Sequence, residues 1–256
     1  MSDNVAEITG KKIFFLYPTA SVQNQIIAEL IQHEYEVYIA KDHSRLFRAL
    51  KKYSDSILYI NIDEKIPENE WEKWISGVHT AMPDINIGIF SASTDEDLPI
   101  KYINKLHAKC GFFSLKLDMS KIAEQVLEIL NAMNVKGRRK YIRATVESEP
   151  NAVMNMPFDG DFINGNIRDI SIVGTSCAFD HDPDLTKNSL LRDIQMKLHS
   201  MLLKVEAVVF GSRKESGEKK YVFLFTQRID PDVRVKIRKY IQASLQSLMD
   251  HEINGK

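Results

Sequence analysis

Cysteine is nearly missing from this 256-residue chain, which has only Cys110 and Cys177. Two thiols, each inside an apolar pattern, exclude a disulfide scaffold and read as buried, reduced side chains. No apolar run approaches the roughly 20 residues that a membrane helix needs. Met1-Ser2-Asp3-Asn4 is polar and acidic, unlike a signal peptide. A cytoplasmic protein is the expectation. Also missing are a Walker loop, a dinucleotide-binding glycine fingerprint, a nucleophile elbow and a catalytic carboxylate pair. The seven histidines are scattered, without zinc-type spacing. Asp180-His181-Asp182-Pro183-Asp184 reads as a solvated acidic turn. Together these point to a protein that is not an enzyme and holds no metal or cofactor.

Charge of one sign is lacking overall, but its distribution is uneven. The net charge is −1. Residues 1–135 hold 14 Lys+Arg against 19 Asp+Glu, a net of −5, and residues 136–256 hold 20 against 16, a net of +4. Two arginines fall in the first part and nine in the second. That bias favours an anionic ligand for the C-terminal part, yet is too weak for duplex DNA.

The first 135 residues alternate apolar runs with helical periods. Strands are expected at Ile13–Tyr17, Glu36–Ala40, Ile57–Ile62, Ile85–Phe90 and Phe112–Leu117. Helices are expected at Val22–His33, Ser44–Tyr53, Asn69–Thr80, Pro99–His107 and Ser120–Met133, the last with Ser120 as N-cap and Gly137 as chain reversal beyond its end. Trp71 and Trp74 are core packing on one of these helices. Five strands alternating with five helices predict a doubly wound parallel sheet. The domain boundary falls near Asn134 to Gly137, giving domains 1–135 and 136–256.

In the second part, Ile167–Phe179 reads as strand, turn and strand around Gly174. Ile194, Met196 and Leu198 alternate with Gln195 and Lys197, so strand is preferred there over helix despite good helix formers. Val205–Phe210 and Tyr221–Thr226 flank a charged loop, Gly211–Lys220, as a hairpin. Val233–Met249 is a helix.

Two polar motifs stand out. Arg138-Arg139-Lys140-Tyr141-Ile142-Arg143 places three guanidinium groups within six residues. Asp169-Ile170-Ser171-Ile172-Val173-Gly174 sets a carboxylate, a hydroxyl and a glycine inside an apolar strand pattern. Guanidinium forks suit phosphate oxygens and the guanine O6/N7 edge, and a carboxylate accepts from guanine N1–H and N2–H₂ or orients an arginine. The ordinary reading is that cations past a helix end complement its dipole, that Asp169 and Ser171 shape a turn, and that Gly174 supplies a backbone conformation closed to other residues.

Arg139-x-x-x-Arg143 followed by Asp169-x-Ser171-x-x-Gly174, with Arg143 and Asp169 26 positions apart, resembles the signature of the PilZ domain, a bacterial receptor module for cyclic di-GMP. The resemblance covers roughly residues 137 to 250. It implies a small β-barrel with a terminal helix that binds one cyclic di-GMP or an intercalated pair. Arg139 and Arg143 would grip phosphate and the guanine edge, Asp169 and Ser171 would contact guanine, Gly174 would let the strand pass close to the ligand, and Arg138 would meet a second nucleotide.

The first domain resembles a response-regulator receiver. Tyr17-Pro18-Thr19 stands where a receiver carries its acidic pair, and Asn61 where it carries the phosphoacceptor aspartate. Asp63 lies two residues on. Ser91 and Lys116 survive, but Leu117 replaces the usual proline. The domain is therefore expected to be unable to transfer phosphate and to bind a protein partner. The whole reads as a non-enzymatic cyclic di-GMP receptor whose ligand changes the domain arrangement through the arginine segment, with motility, adhesion or virulence as the family's usual processes. The alternative is an interaction scaffold with a vestigial site.

Overall fold

The computed structural model describes residues 10–146, 152–215 and 217–255; the segment read as lacking a signal peptide lies outside them. The chain forms two compact units, Met1–Lys140 with Gln246–Lys256, and Tyr141–Leu245.

Among the described residues, the first unit is built on a five-stranded parallel sheet. Its strands are β1 (Ile13–Leu16), β2 (Val37–Ala40), β3 (Ile57–Asn61), β4 (Asn86–Ser91) and β5 (Phe112–Ser114), in the order β2-β1-β3-β4-β5. This is the doubly wound order in which the chain reverses direction across the sheet at β1/β3. Every residue of β1 and β3 is buried, as strands covered on both faces require. Helix α1 begins with π-type turns, Val22–Ile27, and continues as Ala28–Gln32. It is followed by α2 (His43–Leu50), α3 (Glu68–Ala81), α4 (Asp97–Ile100, widening over Lys101–Lys105) and α5 (Met119–Ala132). Trp71 is fully buried on α3, donates to the Glu64 carbonyl at 3.2 Å and meets Trp74 edge-on at 5.6 Å.

Two details of α5 differ from expectation. Its N-cap is Asp118, whose carboxylate accepts from the Ser120 N–H at 2.9 Å, so Ser120 lies inside the first turn. Its C-terminal reversal is Asn134, at φ 50, rather than Gly137. The Val135 N–H reaches the Leu130 carbonyl at 3.2 Å and the Asn134 N–H reaches Asn131 at 3.1 Å, the paired bonds that end a helix in a left-handed residue. Asn tolerates that conformation, and the buried Val135 and Leu130 secure it.

The second unit is an antiparallel barrel. Its strands are β6 (Arg143–Thr145), β7 (Ala152–Phe158), β8 (Asp161–Ser171), β9 (Gly174–Phe179), β10 (Leu190–Leu198), β11 (Met201–Glu215) and β12 (Glu218–Phe225). They run in the order β6-β8-β7-β10-β11-β12-β9, and pairing of β8 with β9 closes six of them into a barrel. The strand preferred at 190–198 is present, with Ile194, Met196 and Leu198 all pointing into the core. The charged loop expected at Gly211–Lys220 is instead ladder almost throughout, because β11 and β12 stay paired as far as Glu215 opposite Glu218. A final helix, α6 (Pro231–Asn254), supplies Ile237, Tyr240 and Ile241 to the barrel core.

The last turns of α6 group with the first unit. There the Gln246 amide accepts from the Ile39 N–H and donates to the Ile39 carbonyl, both at 2.9 Å. Ile39 lies on β2, the outermost strand of the parallel sheet. Glu252 accepts from Lys52 and Tyr53. Among the described residues no helix is long and apolar enough to cross a membrane.

Candidate functional site

The second sequence motif forms a tight hairpin. β8 and β9 are joined by the pair Ile172-Val173, which places Ser171 opposite Gly174 and Asp169 opposite Ser176. On the other side of β8, the short strand β6 sets Arg143 opposite Ser171 and Thr145 opposite Asp169. Strand alternation turns Ala144 and Ile170 into the core, both fully buried. Arg143, Thr145, Asp169 and Ser171 therefore share the outer face. The arginine of one motif and the acid and hydroxyl of the other thus meet on neighbouring strands.

Arg143 Nη1 lies 3.2 Å from Asp169 Oδ1, with the arginine side chain 41% exposed and the aspartate 14%. Asp169 Oδ2 accepts from the Ser176 hydroxyl, and the Asp169 carbonyl accepts from Thr175 Oγ1 at 2.7 Å. Ser171 is nearly buried; its Oγ donates to the Gly174 carbonyl at 3.2 Å and accepts from the Val173 N–H at 3.4 Å. That hydroxyl shapes the turn, as the ordinary reading anticipated. Gly174 is required for a different reason from the one expected. Its φ is not left-handed; a Cβ there would stand 2.3 Å from the Phe223 carbonyl oxygen. The glycine exists because β12 passes against it.

Arg138 and Arg139 are exposed in the segment between α5 and β6, within the residues that group with the parallel sheet. Arg143, Asp169, Ser171 and Gly174 all belong to the barrel. Sequence reasoning missed Ser176. A two-residue turn at 172–173 fixes the register by counting, and that count places Ser176 beside Asp169.

The receiver-like positions have their own geometry. Asn61 ends β3 and donates through Nδ2 to the Tyr17 carbonyl at 3.1 Å, while its Oδ1 accepts from the Asp63 N–H at 3.2 Å. The exposed Asp63 carboxylate accepts from Ser91 Oγ at 2.6 Å and from the Ala92 N–H at 2.5 Å. Lys116 is exposed just past β5. The acidic sequence at Asp180–Asp184 is tied down rather than merely solvated. Asp182 accepts from Lys219 Nζ at 2.8 Å and from the Tyr221 hydroxyl, and these bonds hold its carboxyl down at about 2. Burial pushes the Cys110 thiol up to about 12 and Cys177 higher still, so both are inert thiols in the folded chain.

By topology, the molecule has an α/β unit on a five-stranded parallel sheet and a six-stranded antiparallel barrel, and the barrel unit carries an arginine–aspartate pair on its outer face. No protein-family model and no curated protein match the sequence. The solved structures that it resembles each match roughly half of the chain. The PilZ domain of YcgR from Escherichia coli, solved with c-di-GMP, is 15% identical with a TM-score of 0.40, over 46% of this chain and 98% of that one. MrkH of K. pneumonia, in complex with c-di-GMP, is 18% identical with a TM-score of 0.37, over 48% of this chain and 57% of its own. A response regulator from Thermotoga maritima is 18% identical with a TM-score of 0.40, over 48% of this chain and 98% of that one.

Proposed function

We propose that the chain is a non-enzymatic receptor for cyclic di-GMP, with the ligand held on the outer face of the barrel. The observation that carries this reading is the Arg143–Asp169 pair, 3.2 Å apart, set beside Ser171 on adjacent strands. A guanine edge needs an acceptor for N1–H and N2–H₂ and a donor for O6 and N7, and the pair offers both. The exposed guanidinium also suits phosphate oxygens. Arg139 grips a phosphate from the preceding segment, and Arg138 meets a second nucleotide where two bind.

The arginine segment also joins the two units. A ligand that favours one geometry of that segment shifts the population of domain arrangements, and the changed surface is read by a protein partner of the receiver-like unit. That unit works without phosphotransfer, since Asn61 cannot form an acyl phosphate and Asp63 is engaged by Ser91 and Ala92.

Calorimetric titration of the full chain with cyclic di-GMP, with GMP and GTP as controls, tests the reading. Saturable binding selective for the cyclic dinucleotide supports it, and the stoichiometry separates one bound ligand from an intercalated pair. Absence of heat and of any thermal shift leaves the scaffold with a vestigial site.

A further inference from the structure

Strand register extends the candidate site into an apolar surface. Leu190 stands opposite Val208, Val208 opposite Leu224, Leu224 opposite Gly174, Gly174 opposite Ser171, and Ser171 opposite Arg143. One row thus crosses six strands, from β10 to β6, and passes from aliphatic side chains through a bare glycine to the guanidinium. The neighbours of these residues along their strands, Ala207, Val209, Phe223 and Ile170, are fully buried, so the row itself lies on the face away from the core, exposed at Leu190, Leu224 and Arg143 and covered at Gly174 and Ser171. The next outward row has the same layout: Val222 opposite Ser176, Ser176 opposite Asp169, Asp169 opposite Thr145.

An exposed leucine taken alone is ordinary. Here Leu190 is 45% exposed and Leu224 41%, in register with each other through Val208 and continuous with the polar pair. Leu224 also touches the motif. Its Cδ2 lies 3.3 Å from the point where a Gly174 Cβ would stand, so the leucine fills the space the glycine leaves open. Two strand spacings, roughly 10 Å, separate the Ser171 strand from the Leu224 strand, and no side chain rises from Gly174 between them. The result is a shallow floor with hydrogen-bonding groups along one side only.

We propose that Leu224, supported by Val208, is the floor on which a purine ring of the bound nucleotide lies while Asp169 and Ser171 hold its edge. The inference rests on the cyclic di-GMP reading and deepens it by assigning a specificity-determining residue. A flat heterocycle fits this layout because its face is apolar and its rim polar, matching the division of the row. Hydrogen bonds at the rim select the base; the aliphatic floor holds its plane and excludes water from those bonds.

The test compares three forms of the full chain by calorimetric titration with cyclic di-GMP: wild type, Leu224→Ala and Arg143→Ala. Removing the leucine takes away apolar contact worth about a tenfold loss of affinity, with unchanged stoichiometry and melting temperature. A fourth form, Leu224→Trp, reports proximity directly. The native tryptophans, Trp71 and Trp74, lie in the other unit, so saturable quenching beyond the wild-type signal, at the same midpoint as the heat, places the base over position 224. Wild-type affinity in Leu224→Ala, or no extra quenching in Leu224→Trp, overturns the floor while Arg143→Ala still loses binding and the receptor reading stands. No binding by the wild type itself overturns both.

Discussion

Two aspartates, one in each unit, are held by partners of different kinds. Asp63 follows β3 of the parallel sheet and accepts from Ser91 Oγ and the Ala92 N–H, neutral donors at the end of β4. Asp169 lies within β8 of the barrel, accepts from the Ser176 hydroxyl and is ion-paired with the Arg143 guanidinium. What separates them is which partner can leave. The Ala92 N–H moves only if the backbone after β4 moves, so Asp63 serves to tie two strand ends together. Arg143 ends a long rotatable side chain on a strand of three residues, half in water. It can turn to a phosphate while Ser176 keeps the Asp169 carboxylate hydrogen-bonded. Exposure alone would have ranked the two the other way, since Asp63 is the more exposed. An exchangeable cationic partner, rather than accessibility, is what sets Asp169, in the proposed site, apart from Asp63.

The sharpest way to break this comparison is Arg143→Ala. Losing charge-assisted bonds to the ligand is expected to weaken cyclic di-GMP binding by roughly 100-fold or more, with the melting temperature held. Binding at wild-type strength would remove Arg143 from the ligand site. Asp63→Asn is expected to leave that affinity untouched, and neither form should take up phosphate from a small acyl-phosphate donor. Phosphate on the wild type that disappears in Asp63→Asn would restore a phosphoacceptor role.

Smaller effects come from the supporting structure. Gly174→Ala drives a methyl to within 2.3 Å of the Phe223 carbonyl oxygen and is expected to cost about 1–3 kcal/mol in denaturant unfolding; an unchanged midpoint would show that β12 can step aside freely. Gln246→Ala removes two hydrogen bonds to Ile39 and is expected to cost about 1–2 kcal/mol, detected as faster amide exchange in β2. Equal exchange rates would rule the contact out. The smallest effect concerns pH. Lys219 and Tyr221 lower the Asp182 carboxyl from its ordinary 3.8 to about 2, so its contribution is fully present above 3.8 and fades as pH falls toward 2. The stability gap between wild type and Asp182→Asn should close across that interval, and a gap that persists below it would assign the effect to something other than this charge.

The two units differ in how plainly their sequences announce them. In the first, strands such as Ile13–Leu16 and Ile57–Ile60 are continuous apolar runs and the helices have their own period, so five strands and five helices can be placed to within a few residues. The barrel spreads its core over alternating positions, where half of each strand looks polar. The strands of the β7–β8 hairpin are hard to see in the sequence for that reason, although Phe158-Asp159-Gly160-Asp161 carries the turn signal. Asp159 and Gly160 both adopt left-handed angles, φ 50 and 84, as a two-residue Asp-Gly turn demands. The charged run at 211–220 reads as loop for the opposite reason: like charges stand directly opposite in its ladder, Arg213 with Lys220, Lys214 with Lys219 and Glu215 with Glu218, and the compensating ion pair is the diagonal one between Lys220 and Glu215. Of the candidate site, Arg143, Asp169, Ser171 and Gly174 were legible as a motif. Ser176 follows from counting back across the two-residue turn, whereas Leu224 depends on register between non-adjacent segments, which composition and spacing do not encode.

The amide of Gln246 has a consequence beyond its two hydrogen bonds. An outermost parallel strand offers its unpaired N–H and C=O groups to any extended segment it meets, and identical chains at high concentration are the commonest such segments. By occupying both groups of Ile39 with one side chain, the molecule blunts its own stickiest rim. Shortening the chain to the tidy limits of its parallel sheet would therefore yield a fragment prone to self-association and aggregation, however well its interior still packed.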